Sequence, residues 1–71
     1  MPTAAEIKAR KRFVEVTHDL QVWASMGWPS TEFEISFLQT LVKMVQQGKS
    51  TLDLSEKQME CFERLERKIY S

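Results

Sequence analysis

Apolar residues recur at helical spacing in three stretches of the chain, and polar segments separate these stretches. The first stretch has an apolar stripe made of Ala9, Phe13, Val16, Leu20 and Trp23. Residues three and four positions apart lie on the same face of an α-helix, so the stripe predicts a helix over about residues 4–26. We expect this stripe to pack in the core.

The second stretch, from Phe33 to Val45, is the most apolar of the three. On a helical wheel its apolar residues are Phe33, Phe37, Leu41 and Met44 in one row, Leu38 and Val45 beside that row, and Ile35 and Val42 at its edges. An apolar arc over roughly half of the circumference needs cover on two sides. The pattern therefore predicts a helix over about residues 32–47 that lies centrally and is the most buried of the three.

The third stretch combines an apolar stripe with a charged opposite face. Its stripe consists of Phe62, Leu65 and Ile69, with Cys61 at the edge. This spacing predicts a helix over about residues 56–70. Together the three stretches predict an all-α fold, a compact antiparallel three-helix bundle, in a single helical domain over residues 1–71.

Three short motifs predict where the helices begin. Each places a Glu or Gln three positions after a hydroxyl residue, as in a capping box: Thr3 with Glu6, Thr31 with Glu34, and Ser55 with Gln58. Leu54 and Met59 flank the last box at the two positions of a hydrophobic staple. The third helix therefore has the strongest start signal of the chain.

Glycines and a proline predict where the first two helices end. Gly27 and Gly48 follow the first two apolar stretches, and glycine favours the left-handed conformation that terminates a helix. Pro29 would prevent the first helix from resuming. We expect Trp28 to fold back onto Trp23, the apolar contact that accompanies this kind of helix end.

Length and composition narrow the class of protein. A chain of 71 residues has room for one small domain, and its ten basic and ten acidic residues cancel. A neutral balance argues against a dedicated nucleic-acid-binding protein. The chain has no apolar run of about 18 residues and no apolar segment of a secretory signal, and its single cysteine cannot form an internal disulfide. We expect a soluble cytoplasmic protein that does not bind membranes.

Candidate catalytic chemistry is sparse. His18 is the only histidine, and no ligand-type residue lies beside it at metal-binding spacing. Cys61 adjoins an apolar stripe and is typical of a small core residue. A Cys–His nucleophile pair would need a third residue to orient the base, and the sequence offers none. We expect no enzyme activity, no cofactor and no metal site.

Four basic residues cluster near the N-terminus, and two interpretations of them stay open. The cluster consists of Lys8, Arg10, Lys11 and Arg12, with Glu6 and Glu15 as the nearest acids. In one interpretation it is the solvated first half of a helix. In the other its members are phosphate contacts, which would bind nucleic acid by releasing counterions and would weaken with salt.

A second set of residues lies off the core stripe of the first helix. Ile7, Lys11, Val14, His18 and Val22 form one ridge along it, which we call the helix-1 ridge. Scattered apolar residues are normal on protein surfaces. Alternatively the helix-1 ridge binds a protein partner, in the manner of a helix in a groove or a coiled coil, or a second copy of the chain.

One resemblance covers about half of the chain. The residues Phe37-Leu38, Gly48-Lys49 and Leu54-Ser55-Glu56-Lys57-Gln58, followed by a helix rich in Leu, Arg and Lys, resemble a helical hairpin of small phage- and plasmid-encoded proteins associated with DNA-handling machinery. The chain lacks the zinc-ligand cluster or catalytic domain that often accompanies this hairpin.

The resemblance implies an origin in a mobile element but transfers no functional residue. The resulting hypothesis is a non-catalytic interaction module that binds and inhibits or redirects a host complex that handles nucleic acid. An anti-CRISPR-type inhibitor is an example of this class. The alternatives are a small protein that contacts nucleic acid through the basic start of its first helix, and a structural homodimer.

Overall fold

The computed structural model describes residues 1–27 and 31–70 of the chain. Helix α1 spans Ala4–Ser25, α2 spans Glu32–Gln46, a 3-10 helix spans Thr51–Asp53, and α3 spans Glu56–Tyr70. The three α-helices begin where the sequence predicts, and α1 and α2 each end one residue earlier. The expected all-α three-helix bundle is confirmed.

The helix starts are held by the predicted caps. The Thr31 and Glu34 side chains each accept from the other residue's backbone N–H, at 3.2 and 3.1 Å, which completes a capping box. In the box at α3, the Gln58 N–H donates to Ser55 Oγ at 3.2 Å, and the Ser55 N–H donates to Gln58 Oε1 at 3.0 Å. At α1 the Thr3 hydroxyl accepts from the Glu6 N–H.

The glycines after α1 and α2 adopt the expected left-handed conformation. Gly27 has φ of 87° and Gly48 has φ of 78°, values at which any side chain would be strained. The predicted contact of Trp28 with Trp23, and the predicted role of Pro29, fall outside the described residues.

The connection between α2 and α3 contains a structure that the sequence pattern did not predict. Residues 51–53 form the 3-10 helix. The Leu52 N–H donates to Ser50 Oγ, and the Ser50 N–H donates to Asp53 Oδ2 at 2.8 Å. These bonds hold the 3-10 helix together, which packs against α1 with Leu52 exposed.

Helix α1, not α2, lies at the centre of the bundle. It packs against α2, the 3-10 helix and α3, whereas α2 and α3 approach each other less closely. The buried residues are Phe13, Val16, Thr17 and Leu20 on α1, Phe37 and Leu41 on α2, and Phe62, Leu65 and Ile69 on α3. The expectation that the second helix is the most buried is therefore wrong.

The reason is the difference in length between the helices. Helix α1 has 22 residues and α2 has 15, so α1 is about 33 Å long and α2 about 22 Å. Only the longer helix can contact every other element along its length. The apolar arc of α2 is wider than its neighbours cover, and Phe33 and Ile35 remain 64% and 48% exposed.

Consecutive helices run antiparallel, as expected, so α1 and α3 run parallel. Near the middle of α1 the Phe13 ring centroid lies 5.7 Å from that of Phe62. Towards the end of α1, Asp19 accepts a hydrogen bond from the Tyr70 hydroxyl at the end of α3. The molecule measures 39 × 22 × 19 Å, and α1 sets its long dimension.

Candidate protein-interaction face

The structure places all five residues of the helix-1 ridge on the surface. Ile7, Val14 and Val22 are 56%, 36% and 40% exposed, and Lys11 and His18 are exposed between them. The ridge is free because α3 packs on the other side of α1. The apolar side chains of the ridge therefore face solvent along most of the length of α1.

A shallow groove runs between α1 and α2 beside the helix-1 ridge. Three hollows lie along this side of α1: the first, of about 620 Å³, lies between the start of α1 and residues 48–53, and the second and third, of about 290 and 460 Å³, lie within the groove. Ile7 and Leu52 line the first, Val14 and Val42 the second, and Ala24 and Ile35 the third. The second and third hollows share Gln21 and Val42, so this part of the groove is continuous.

The groove and the ridge form one surface, which we call the α1–α2 face. It consists of the helix-1 ridge, Ile35, Leu38 and Val42 of α2, and Leu52 of the 3-10 helix. Sequence reasoning placed Ile35, Leu38 and Val42 in the apolar arc of a buried helix and did not single out Leu52. The width of that arc was the available signal, because it exceeds what one neighbouring helix can cover.

The charges on α1 are divided by position. Lys8 and Lys11 lie in its first half, and Glu15 and Asp19 lie in its second half, which has no Lys or Arg. Among the described residues, neither Lys8 nor Lys11 has a hydrogen-bond or ion-pair partner.

Arg10 has a structural role that the sequence did not indicate. Its guanidinium donates to the carbonyl oxygens of Lys49 at 2.6 Å and Val45 at 3.1 Å. These carbonyls lie at and just beyond the C-terminus of α2, where a cation is favourable and backbone acceptors lack helical partners. Arg10 therefore joins α1 to the end of α2 and is not a free phosphate contact.

Arg12 is likewise engaged within the chain. It donates to both carboxylate oxygens of Glu66 on α3, at 2.9 and 2.5 Å, and lies 5.5 Å from the Phe62 ring centroid. The hydrogen bonds with Glu66 raise the pKa of Arg12 and lower the pKa of Glu66. Tertiary partners occupy both arginines, so of the four candidate phosphate contacts Lys8 and Lys11 are the two without a partner in the part of the chain that the structure describes.

His18 and Cys61, the two residues considered for nucleophilic chemistry, lie on different helices. His18 lies on the helix-1 ridge, whereas Cys61 is half-buried on α3 and packs against the core. Within residues 1–27 and 31–70 there is no group of three or more His, Cys, Asp or Glu that could hold a metal ion. No helix in the same residues is long and apolar enough to cross a membrane.

A second, smaller apolar feature lies at the start of α2. The Phe33 ring stacks on Phe37 with centroids 6.3 Å apart and lines a hollow with Cys61 and Leu65 of α3. Arg64 and Lys68 border this hollow. This feature exposes one aromatic ring and is smaller than the α1–α2 face. We therefore take the α1–α2 face as the candidate site.

Comparison of this chain with protein-family models, with curated proteins and with solved structures finds no match in any of the three.

Proposed function

We propose that this chain is a non-catalytic helical module that binds a protein partner through the α1–α2 face. One observation carries the proposal: apolar side chains from α1, α2 and the 3-10 helix lie exposed together on the side of the bundle opposite α3. A cluster of exposed apolar side chains is typical of a binding site. Burying it against a partner would release about 25 cal/mol per Å² of apolar surface, before the costs of association.

The proposed mode of binding is that of a helix in a groove. The groove between α1 and α2 offers apolar floor residues such as Leu38 and Val42, and its rim carries the amides of Gln21 and Gln39. An amphipathic helix laid into such a groove buries its apolar stripe and keeps its polar face in water. The chain would then act by covering a surface of the partner, with no chemical reaction.

We further propose that the partner is a host complex that handles nucleic acid, which the chain inhibits or redirects. The support is the resemblance of residues 37–58 to the helical hairpin of phage- and plasmid-encoded proteins. An inhibitor of the anti-CRISPR type belongs to this class. A lone cysteine and the absence of a membrane-spanning helix from the described residues agree with action in the cytoplasm.

The test replaces two apolar ridge residues by charges. We expect the double variant Val14→Glu, Val22→Lys to keep the helical circular dichroism spectrum and to lose partner capture from an extract of cells that contain the protein. The matched control, Phe33→Glu with Thr40→Lys, places the same charges on an exposed side of α2 and should capture the partner as the parent does. Capture that survives in the Val14, Val22 variant would assign the binding site to another surface.

The alternative function, direct contact with nucleic acid, now relies on Lys8 and Lys11. Two phosphate contacts predict a slope of only about −2 in a plot of log affinity against log salt concentration. Lys8→Gln should then lower affinity for duplex DNA, while the Val14, Val22 variant should bind as the parent does. If instead the Val14, Val22 variant loses partner capture and Lys8→Gln keeps it, the protein-binding function is favoured.

A further inference from the structure

We propose that the α1–α2 face binds a second copy of this chain, with the two α1 helices antiparallel about a two-fold axis near Val14. The inference rests on the proposed function, since it names an occupant for the same face. The dimer would be the resting form of the module, in which each copy covers the apolar face of the other. Three features of the face match such an axis.

The first feature is the spacing of the apolar residues on the helix-1 ridge. Ile7 lies seven residues before Val14, and Val22 lies eight residues after it. At 1.5 Å per residue these separations are about 10.5 and 12 Å. A two-fold axis perpendicular to α1 at Val14 therefore sets Ile7 opposite Val22 of the second copy and Val14 opposite its own counterpart.

The second feature is the placement of the apolar residues beside α1. Leu52 shares a hollow with Ile7 at one end of the face, and Ile35 shares a hollow with Ala24 at the other. The same rotation exchanges the two ends, because it reverses direction along α1. Leu52, which is 64% exposed, is then covered by Ile35 of the second copy, and Ile35 by Leu52.

The third feature is the division of charge along α1. Lys11 precedes Val14, and Glu15 follows it on the same flank of the ridge. In an antiparallel pair this flank lies against the same flank of the second copy in reverse order, so Lys11 of each copy lies near Glu15 of the other. Lys11 is three residues before the axis and Glu15 one after it, which places them within about 3 Å along the helix direction.

This charge pattern selects a second copy over other occupants. A purely acidic partner would be repelled by Glu15, and a phosphate backbone would be repelled in the same way. An antiparallel copy offers opposite charge to both halves of α1, and the zero net charge of the chain adds no overall repulsion. A two-fold interface also uses each contact twice, which doubles the effect of every matched pair.

The first test is the association state of the full chain by sedimentation equilibrium across a range of concentrations. We expect the parent to dimerise, the Val14→Glu, Val22→Lys variant to be monomeric and helical, and the Phe33→Glu, Thr40→Lys control to dimerise as the parent does. A parent that stays monomeric up to about 1 mM, the weak end of specific association, overturns the inference.

The second test addresses the antiparallel register with charge reversal. Lys11→Glu and Glu15→Lys should each weaken dimerisation by about three- to tenfold, since each change disturbs two symmetry-related pairs of exposed charges. The combined variant Lys11→Glu, Glu15→Lys should restore the parent's dissociation constant. Failure of the combined variant to recover affinity overturns the antiparallel arrangement.

The results also separate this inference from the proposed function. A monomeric parent that captures a partner through Val14 and Val22 overturns the dimer and supports the interaction module. A dimeric parent whose extract capture is the same in all variants supports the dimer and overturns the partner-binding role of the face.

Discussion

At the scale of single residues, the core contains one buried polar side chain among the described residues, that of Thr17. It is 2% exposed, and its Oγ1 has no hydrogen-bond partner. An unsatisfied buried hydroxyl costs about 1–3 kcal/mol of folding free energy. The branched side chain of Thr17 contributes to packing in the core, while its hydroxyl opposes folding.

Replacing Thr17 with valine should therefore stabilise the protein. The substitution keeps the branched shape and removes the hydroxyl, so we expect the free energy of unfolding to rise by about 1 kcal/mol in urea titrations. The control is Thr40→Val, at an exposed position where the hydroxyl already donates to the Ser36 carbonyl. A loss of stability in the Thr17 variant would mean that a water molecule satisfies its hydroxyl.

At the scale of elements, the helices are defined by caps that act within four residues. At the start of α3 the backbone N–H groups of Ser55 and Gln58 each donate to the side chain of the other residue, and Leu54 and Met59 pack against the core. This is the capping box and hydrophobic staple that the sequence predicts. The start of α3 is therefore specified by residues that lie close together in the sequence.

The capping role of Ser55 can be measured by two substitutions. Ser55→Ala removes the acceptor for the Gln58 N–H and should lower the free energy of unfolding by about 1 kcal/mol. Ser55→Gly should cost only a few tenths of a kcal/mol, since glycine is itself tolerated at this position. Chemical denaturation of both variants gives the comparison. Equal losses in the two variants would contradict the assignment of Ser55 as the cap.

At the scale of the whole molecule, side chains of α3 are tied to α1 and α2 by polar contacts. Glu66 receives the two hydrogen bonds of Arg12, and Glu34 pairs with Lys68 at 3.4 Å. The hydrogen bond from the Thr31 backbone, followed by that of Lys68, lowers the pKa of Glu34. Donation to Asp19 raises the pKa of Tyr70 to about 12.

These shifts predict how the stability of the bundle depends on pH. A carboxyl whose folded pKa is lowered stabilises the fold above its unfolded pKa of about 4.3, and this contribution is lost as pH falls through the folded pKa. The attachment of α3 should therefore weaken in acid below about pH 4. Arg12 stays charged throughout, so the change reports protonation of its carboxylate partner.

A double-mutant cycle isolates this effect. The cycle of Arg12→Gln and Glu66→Gln should give a coupling of about 0.5–1 kcal/mol at pH 7, a modest value because the Arg12 side chain is 40% exposed. The coupling, measured by urea unfolding, should decrease progressively as the pH falls below about 4.3, the unfolded pKa of glutamate. The control is the cycle of Glu60 and Arg64, which form no ion pair within the described residues. An Arg12–Glu66 coupling that does not decrease in acid would contradict the charge-based account.

The sequence by itself determined the local structure of this protein. The first residue of every α-helix, the caps at Thr3, Thr31 and Ser55, and the stops at Gly27 and Gly48 were all predictable. Each of these features depends on residues within about four positions of one another. The core stripe of α3 was also predictable, because α3 has one narrow apolar face and can pack only through that face.

Only the tertiary structure decided which faces are covered and which charges are paired. Ile35 and Phe33 belong to an apolar arc by sequence, yet they are exposed because α1, the longest helix, takes the central place. Arg10 and Arg12 carry the same charge by sequence as Lys8 and Lys11, yet their partners at Val45, Lys49 and Glu66 lie 35 to 54 residues away. Burial and pairing depend on such distant neighbours, and no local pattern records where those neighbours will be.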